Sequence, residues 1–232
     1  MNEKSGKVLR IVAIVLFGGT VAFTMLGAIG TGCIAWNANM YGKAFAVYVP
    51  YMPVYQILVF VKLIVATIGI LATSALVRGE KWGYKGAMIT LVIGLLSAAI
   101  QMYYGSTLKG KPFLADAPTN VRFFITLITL IVFLLLKLPG IWSKVGLDRS
   151  GYGGGGKVSA GGLTLFVGGL VSLSTPLWAG PTHMYEGYNL VYVVSVPLFI
   201  GGALMVVTGL GLLVVTGLRV RSEETARQES KL

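Results

Sequence analysis

The stretch Val54 to Val77, VYQILVFVKLIVATIGILATSALV, decides how the rest of the chain is read. It is apolar almost throughout, lacks proline and carries a single charge, Lys62. A bilayer's hydrocarbon core is about 30 Å thick and a helix rises about 1.5 Å per residue, so about 20 such residues cross it. Five other runs meet the same condition: Ile11 to Ala35, Tyr84 to Tyr104, Val121 to Leu138, Gly161 to Trp178 and Leu190 to Leu218. The expected fold is an all-α integral membrane protein, a single polytopic domain built as a bundle of six transmembrane helices. The first span is read as a retained helix, because its apolar run exceeds the about 7–15 residues of a signal peptide and Gly30 stands where a lipoprotein signal has Leu before Cys33.

Composition agrees. The chain has 232 residues, 55% hydrophobic and only 12% charged, against about 25% charged in a soluble domain. This excludes an ordinary soluble enzyme, a disordered chain and a nucleic-acid-binding module. The net charge of +11 is explained by where the cations fall. Lys and Arg collect in cytoplasmic loops, and 14 of the 19 lie on the side that holds both chain ends. Lys43, Lys109, Lys111 and Arg122 lie on the other side, and Lys62 lies within a span. Both termini are therefore expected to be cytoplasmic, in a multi-pass protein of the plasma (inner) membrane. Residues 139–160, ending DRSGYGGGGKVSAGG, read as a flexible Gly-rich inner loop, and 219–232 as a short polar tail. The partial P-loop spacing at Gly151, Gly156 and Lys157 is followed by Val158 and not Ser or Thr, so it reads as linker. Lys144, Arg149 and Lys157 in that loop are placed to meet lipid headgroups.

The outer loops concentrate Tyr and Trp, including Trp36, Tyr41, Tyr48, Tyr51 and Tyr55. An interfacial aromatic belt accounts for this. Small residues four apart within spans, such as Gly18 with Ala22, Gly27 with Thr31, and Gly168 with Ser172, suit close helix packing.

Chemistry is constrained by absences in the sequence. There is one Cys and one His, and none of the eight acidic residues falls within a span. No zinc spacing, haem-ligand pair or membrane-embedded carboxylate is present, so no metal site and no cofactor are expected, beyond quinone or a haem shared with another subunit. Lys62 is the exception inside the apolar core. A cation there costs about 2.5–3.5 kcal/mol on insertion scales, so it either snorkels or meets polar groups. Gln56 on the same helix, with Gln101 and Tyr104 on the next, are the candidates to join it around a quinone headgroup, an anionic lipid or a partner's carboxylate. His183 and Glu186 in the third outer loop, spaced to meet across one helical turn, form a second polar candidate.

The expected function is a non-catalytic integral membrane subunit or scaffold of a larger complex concerned with quinone or electron transfer. The alternatives are a carrier or channel for a small neutral or anionic solute, with Lys62 lining the path, and a component of a quinone-linked oxidoreductase. The expected partners are the lipid bilayer and other membrane subunits or a second copy, with no nucleic acid.

Overall fold

The computed structural model describes residues 3–41, 43–115, 119–148, 154–180, 184–185, 188–189, 191–192 and 195–229. The helices are α1 (Glu3–Asn37), a short α2 (Lys43–Ala46), α3 (Met52–Arg78), α4 (Trp82–Lys109), α5 (Thr119–Leu136), a short α6 (Trp142–Val145), α7 (Gly154–Ala179) and α8 (Ser195–Glu229). Strands β1 (Met184–Tyr185) and β2 (Tyr188–Asn189) pair antiparallel. Among the described residues five helices are long and apolar enough to cross a membrane, the architecture of a helical membrane protein. The apolar part of α7, Gly161–Leu177, is shorter than the others.

Helices α1, α3, α4 and α5 close a ring in which each packs on the next. The neighbours run antiparallel. Going up α1, Val21 meets Gly69 and Thr31 meets Lys62 of α3. Thr20 and Gly27 meet Thr129 and Arg122 of α5. The end holding Arg78, Trp82 and Leu136 is here called the base, and the end holding Asn37, Met52, Lys109 and Thr119 the crown.

The buried face of each helix repeats every three and four residues. On α5 it is Thr119, Arg122, Thr126, Thr129, Phe133 and Leu136. On α3 it includes Tyr55, Leu58, Lys62, Val65, Gly69, Ala72 and Leu76. Such a 3.5-residue seam fits the shallow crossing of a four-helix bundle. Lys62 and Arg122 therefore occupy positions where the repeat calls for core residues.

Two apolar clusters fill the ring. The base cluster centres on Phe17, Leu76, Leu91 and Phe133, with the Phe17 and Phe133 rings 5.5 Å apart. The crown cluster centres on Ala35, Tyr48, Tyr55, Leu58 and Val59. Tyr48 and Tyr55, expected in an interfacial belt, are instead buried edge to face at 5.4 Å. Their rings supply apolar area that the small residues of α1 cannot.

Base contacts tie the ring to α6. The buried Arg10 guanidinium donates to Leu76 O at the end of α3, at 3.0 Å, and to Gly146 O just after α6. Both carbonyls lie where helices leave acceptors exposed. Arg10→Met is expected to destabilise the protein by about 1.5–3 kcal/mol, the range for a hydrogen bond from a charged donor, read as a lower unfolding temperature in detergent. Gly79 ends α3 in the left-handed conformation, φ 73°, and the chain turns there into α4. In this turn Arg78 and then Trp82 hydrogen-bond to the exposed Glu80 carboxylate and hold its pKa below the usual value.

Helix α7 packs on α1, and α8 packs on α7. Here glycines meet backbone to backbone. A Cβ on Gly169 would stand 2.6 Å from Gly202 O, and one on Gly209 would stand 2.5 Å from Gly162 O. The two pairs are seven residues apart on each helix. The helix bounds depart from the sequence reading in two places. Helix α7 begins at Gly154, inside the stretch expected as flexible loop, and α8 continues to Glu229 through most of the expected polar tail. Where the two helices meet, at Gly162, Gly169, Gly202 and Gly209, helix–helix contact outweighs the poor intrinsic helix propensity of glycine.

Candidate functional site

The centre of the ring holds a group of polar side chains from four helices. Gly27 and Thr31 come from α1, Lys62 from α3, Gln101 from α4 and Arg122 from α5. Lys62 is completely buried and Arg122 is 5% exposed. Lys62 therefore does not snorkel; it turns into the bundle.

Helix direction explains how Lys62 and Gln101 meet. Gly69 packs on Thr90, Val65 on Gly94 and Ala72 on Gly86, a register that sets Lys62 opposite Ser97 and Leu58 opposite Gln101. Side chains lean toward the N-terminus of their own helix. Lys62 thus reaches one turn toward the crown, to the level of Gln101.

The Lys62 ammonium has three hydrogens and three acceptors. These are Thr31 Oγ1 at 2.5 Å, Gln101 Oε1, and Gly27 O at the longer distance of 3.5 Å. Thr31 in turn donates to Gly27 O at 2.6 Å. Two cationic donors face Gln101 Oε1, so the amide is held with its oxygen inward.

Arg122 is less well served. Its Nη2 approaches the same Gln101 Oε1 at 3.5 Å, while Nε and Nη1 are buried with no acceptor. Gly27 makes room for this guanidinium, since a Cβ at that position would stand 2.9 Å from Nη1 and 3.2 Å from Cδ. Among the described residues no carboxylate pairs with Lys62 or Arg122. Two basic side chains thus share one neutral oxygen in the buried interior. Desolvating each ion costs several kcal/mol, and a group with negative charge between them would offset that cost.

Hydroxyls continue the polar seam toward the base. Thr126 Oγ1 donates to Arg122 O, Thr24 Oγ1 to Thr20 O, and the Thr20 and Thr129 hydroxyls meet at 2.8 Å. The seam ends at Phe17 and Phe133.

Of the residues singled out in the sequence, Lys62 and Gln101 are brought together. Gln56 lies nearer the crown and donates to Ala35 O at 3.0 Å. Tyr104 packs against the crown cluster with its ring 5.7 Å from that of Tyr51. Neither takes part in the Lys62 hydrogen bonds. His183, Glu186 and Arg149 lie outside the described residues. Lys157 falls in the first turn of α7, and Lys144 is half-buried on α6 at the base. Among the described residues no cluster of His, Cys, Asp or Glu has metal-binding geometry.

Arg122 was missed because it stands one residue inside an apolar run and read as a loop cation. The signal was its spacing to Thr126 and Thr129, a polar stripe on one helix face. Gly27 and Thr31 were visible only as a small-residue pair.

Replacing Gln101 with Glu would place a carboxylate between the two cations. Gln101→Glu is expected to raise stability by about 1.5–3 kcal/mol, the worth of hydrogen bonds to a charged group, seen as a higher unfolding temperature.

Fold and site together define a class: a helical membrane bundle with a buried lysine–arginine pair. No family model, no curated protein and no solved structure matches the chain.

Proposed function

We propose that this chain is a non-catalytic, six-span protein of the plasma membrane, with both termini cytoplasmic, that binds a small anion between Lys62 and Arg122 and carries it across the bilayer. The observation behind this reading is the buried Lys62–Arg122 pair, with Gln101 Oε1 as its shared acceptor and two Arg122 nitrogens left without one. Ionisable residues inside a membrane mark solute or ion pathways more often than they serve packing. A quinone headgroup would supply carbonyl oxygens but no charge, so an anion suits the site better. The apolar clusters at base and crown close the site at both ends, which suits a carrier with an occluded state better than an open channel.

The test is thermal unfolding of the purified protein in detergent, in sodium salts of different anions at equal ionic strength. One anion, or a small group of similar size, is expected to raise the unfolding temperature saturably. The corresponding stabilisation is about 2.7 kcal/mol at a hundredfold excess over Kd. Equal curves in every salt would refute the proposal.

A second reading, a subunit or scaffold of a larger membrane complex, is favoured by α8. It packs mainly on α7 and leaves Phe199, Leu204, Val207 and Val214 exposed. Co-migration of another membrane protein in mild detergent would support it, and a stable monomer alone would count against it.

A further inference from the structure

Among the described residues, apolar side chains stand toward both ends of the bundle. Toward the base stand Phe17, Leu91 and Phe133, and toward the crown Tyr48, Tyr55 and Val59, all buried. On the side facing lipid, an apolar groove of about 220 Å³ runs between α3 and α4, lined by Ile57, Leu58, Val61, Leu96, Ser97 and Ile100 among others. Its one hydroxyl, on Ser97, is turned back onto Gly94 O at 2.9 Å.

The groove and the Lys62–Arg122 pair lie at the same depth. Leu58 and Ser97 are buried and line the groove. Each stands four residues before a site residue on its own helix, Lys62 and Gln101, and so shares its face. By the α3–α4 register, Leu58 lies opposite Gln101 and Ser97 opposite Lys62. By this register Leu58 and Ser97 stand between a lipid-facing apolar slot and the buried Lys62–Arg122 pair, in which Arg122 Nε and Nη1 have no acceptor among the described residues.

Resting on the anion-binding reading, we infer that the anion is the head of a single-chain amphiphile that enters sideways from the bilayer, its hydrocarbon tail lying in the α3–α4 groove and its negative head at Lys62 and Arg122. The single slot suits one chain. The negative head complements the basic pair, Lys62 and Arg122, that lies behind the slot.

The experiment uses the full chain in lipid nanodiscs with a diazirine-bearing fatty acid as probe. Peptides spanning residues 54–61 and 93–100 are expected to be labelled. Labelling should fall to background in Ile57→Trp, which fills the groove from a position that is 64% exposed and so leaves the core intact. It should fall likewise in Lys62→Gln, while Ile57→Trp keeps any stabilisation by inorganic anions. Unchanged labelling in Lys62→Gln would mean the groove holds bulk lipid without recognising a head, and would overturn the inference. If inorganic phosphate or thiocyanate stabilises the protein and the fatty acid labels nothing, the anion comes from water; this inference falls and the anion site stands. If neither probe acts, both fall. Should Lys62→Gln fail to fold, Ile57→Trp decides alone: retained labelling at these peptides overturns the inference.

Discussion

Lys62→Met is expected to make the protein more resistant to heat and, at the same time, blind to anions. The two effects have one cause. In the protein as it stands, Lys62 adds a second positive charge to a site that already holds Arg122, and no described carboxylate answers either. Methionine has similar length and volume, fills the same space between Thr31 and Gln101, and removes the desolvation cost of the ammonium. Replacing buried ions with apolar residues of matching volume stabilises other proteins by about 1–4 kcal/mol, and a rise of that order is expected here. Gln101 Oε1 then serves Arg122 alone. Anion binding moves the opposite way. Losing one of two buried charge partners costs about 2–5 kcal/mol of affinity, or roughly 30- to 4,000-fold in Kd. Thermal unfolding with and without the favoured anion measures both effects, and flux in liposomes measures the second. A purely structural Lys62, held for its three hydrogen bonds, predicts the reverse: Lys62→Met would lower the unfolding temperature and leave any anion response unchanged.

The second large effect is expected far from the site, in the α7–α8 pair. A Cβ on Gly209 would lie 2.5 Å from Gly162 O, 2.6 Å from Phe166 N and 3.0 Å from Phe166 Cα. These are backbone atoms, which cannot rotate away as a side chain can. Gly209→Leu must force the helices apart, breaking the facing Gly169–Gly202 contact as well. A cost at the upper end of overpacking, about 3 kcal/mol, is expected. Gly211, two residues on, has nothing within 4 Å of its Cβ position. Gly211→Leu should be neutral or stabilising by up to about 1 kcal/mol through helix propensity. Hydrogen exchange distinguishes local from global damage. In Gly209→Leu, amides of α7 and α8 should lose protection while those of α3, α4 and α5 keep theirs, because α8 packs mainly on α7. Equal loss throughout would mean that the pair is integral to the ring.

The contrast between these glycines shows what a sequence can convey. Both lie in GLGLL, and nothing in that string tells which one faces a neighbouring backbone. The same holds for the cations. Lys62 was conspicuous because it interrupts an apolar run, and Gln101 because it ends the antiparallel helix at similar depth. Arg122 was not, because a cation at the edge of a span is ordinary. Burial, not identity, makes it exceptional, and burial follows from Gly27 on another helix leaving space for it. Gln56 and Tyr104 had the right chemistry at nearly the right height, yet they engage Ala35 O and the ring of Tyr51 instead.

From the order of residues alone came the helical class, the apolar runs, the grouping of basic residues in the loops expected on the side of the chain ends and one amine inside an apolar run without an acid to match it. Those are properties of each segment taken singly, and hydropathy, helix length and charge act segment by segment. Which helices touch, which glycines bring backbones together, and that an arginine from α5 joins a lysine from α3 are relations between distant segments. They are settled by how the seams of four helices interlock, because only that packing determines which side chains lose contact with lipid and which must then find partners inside.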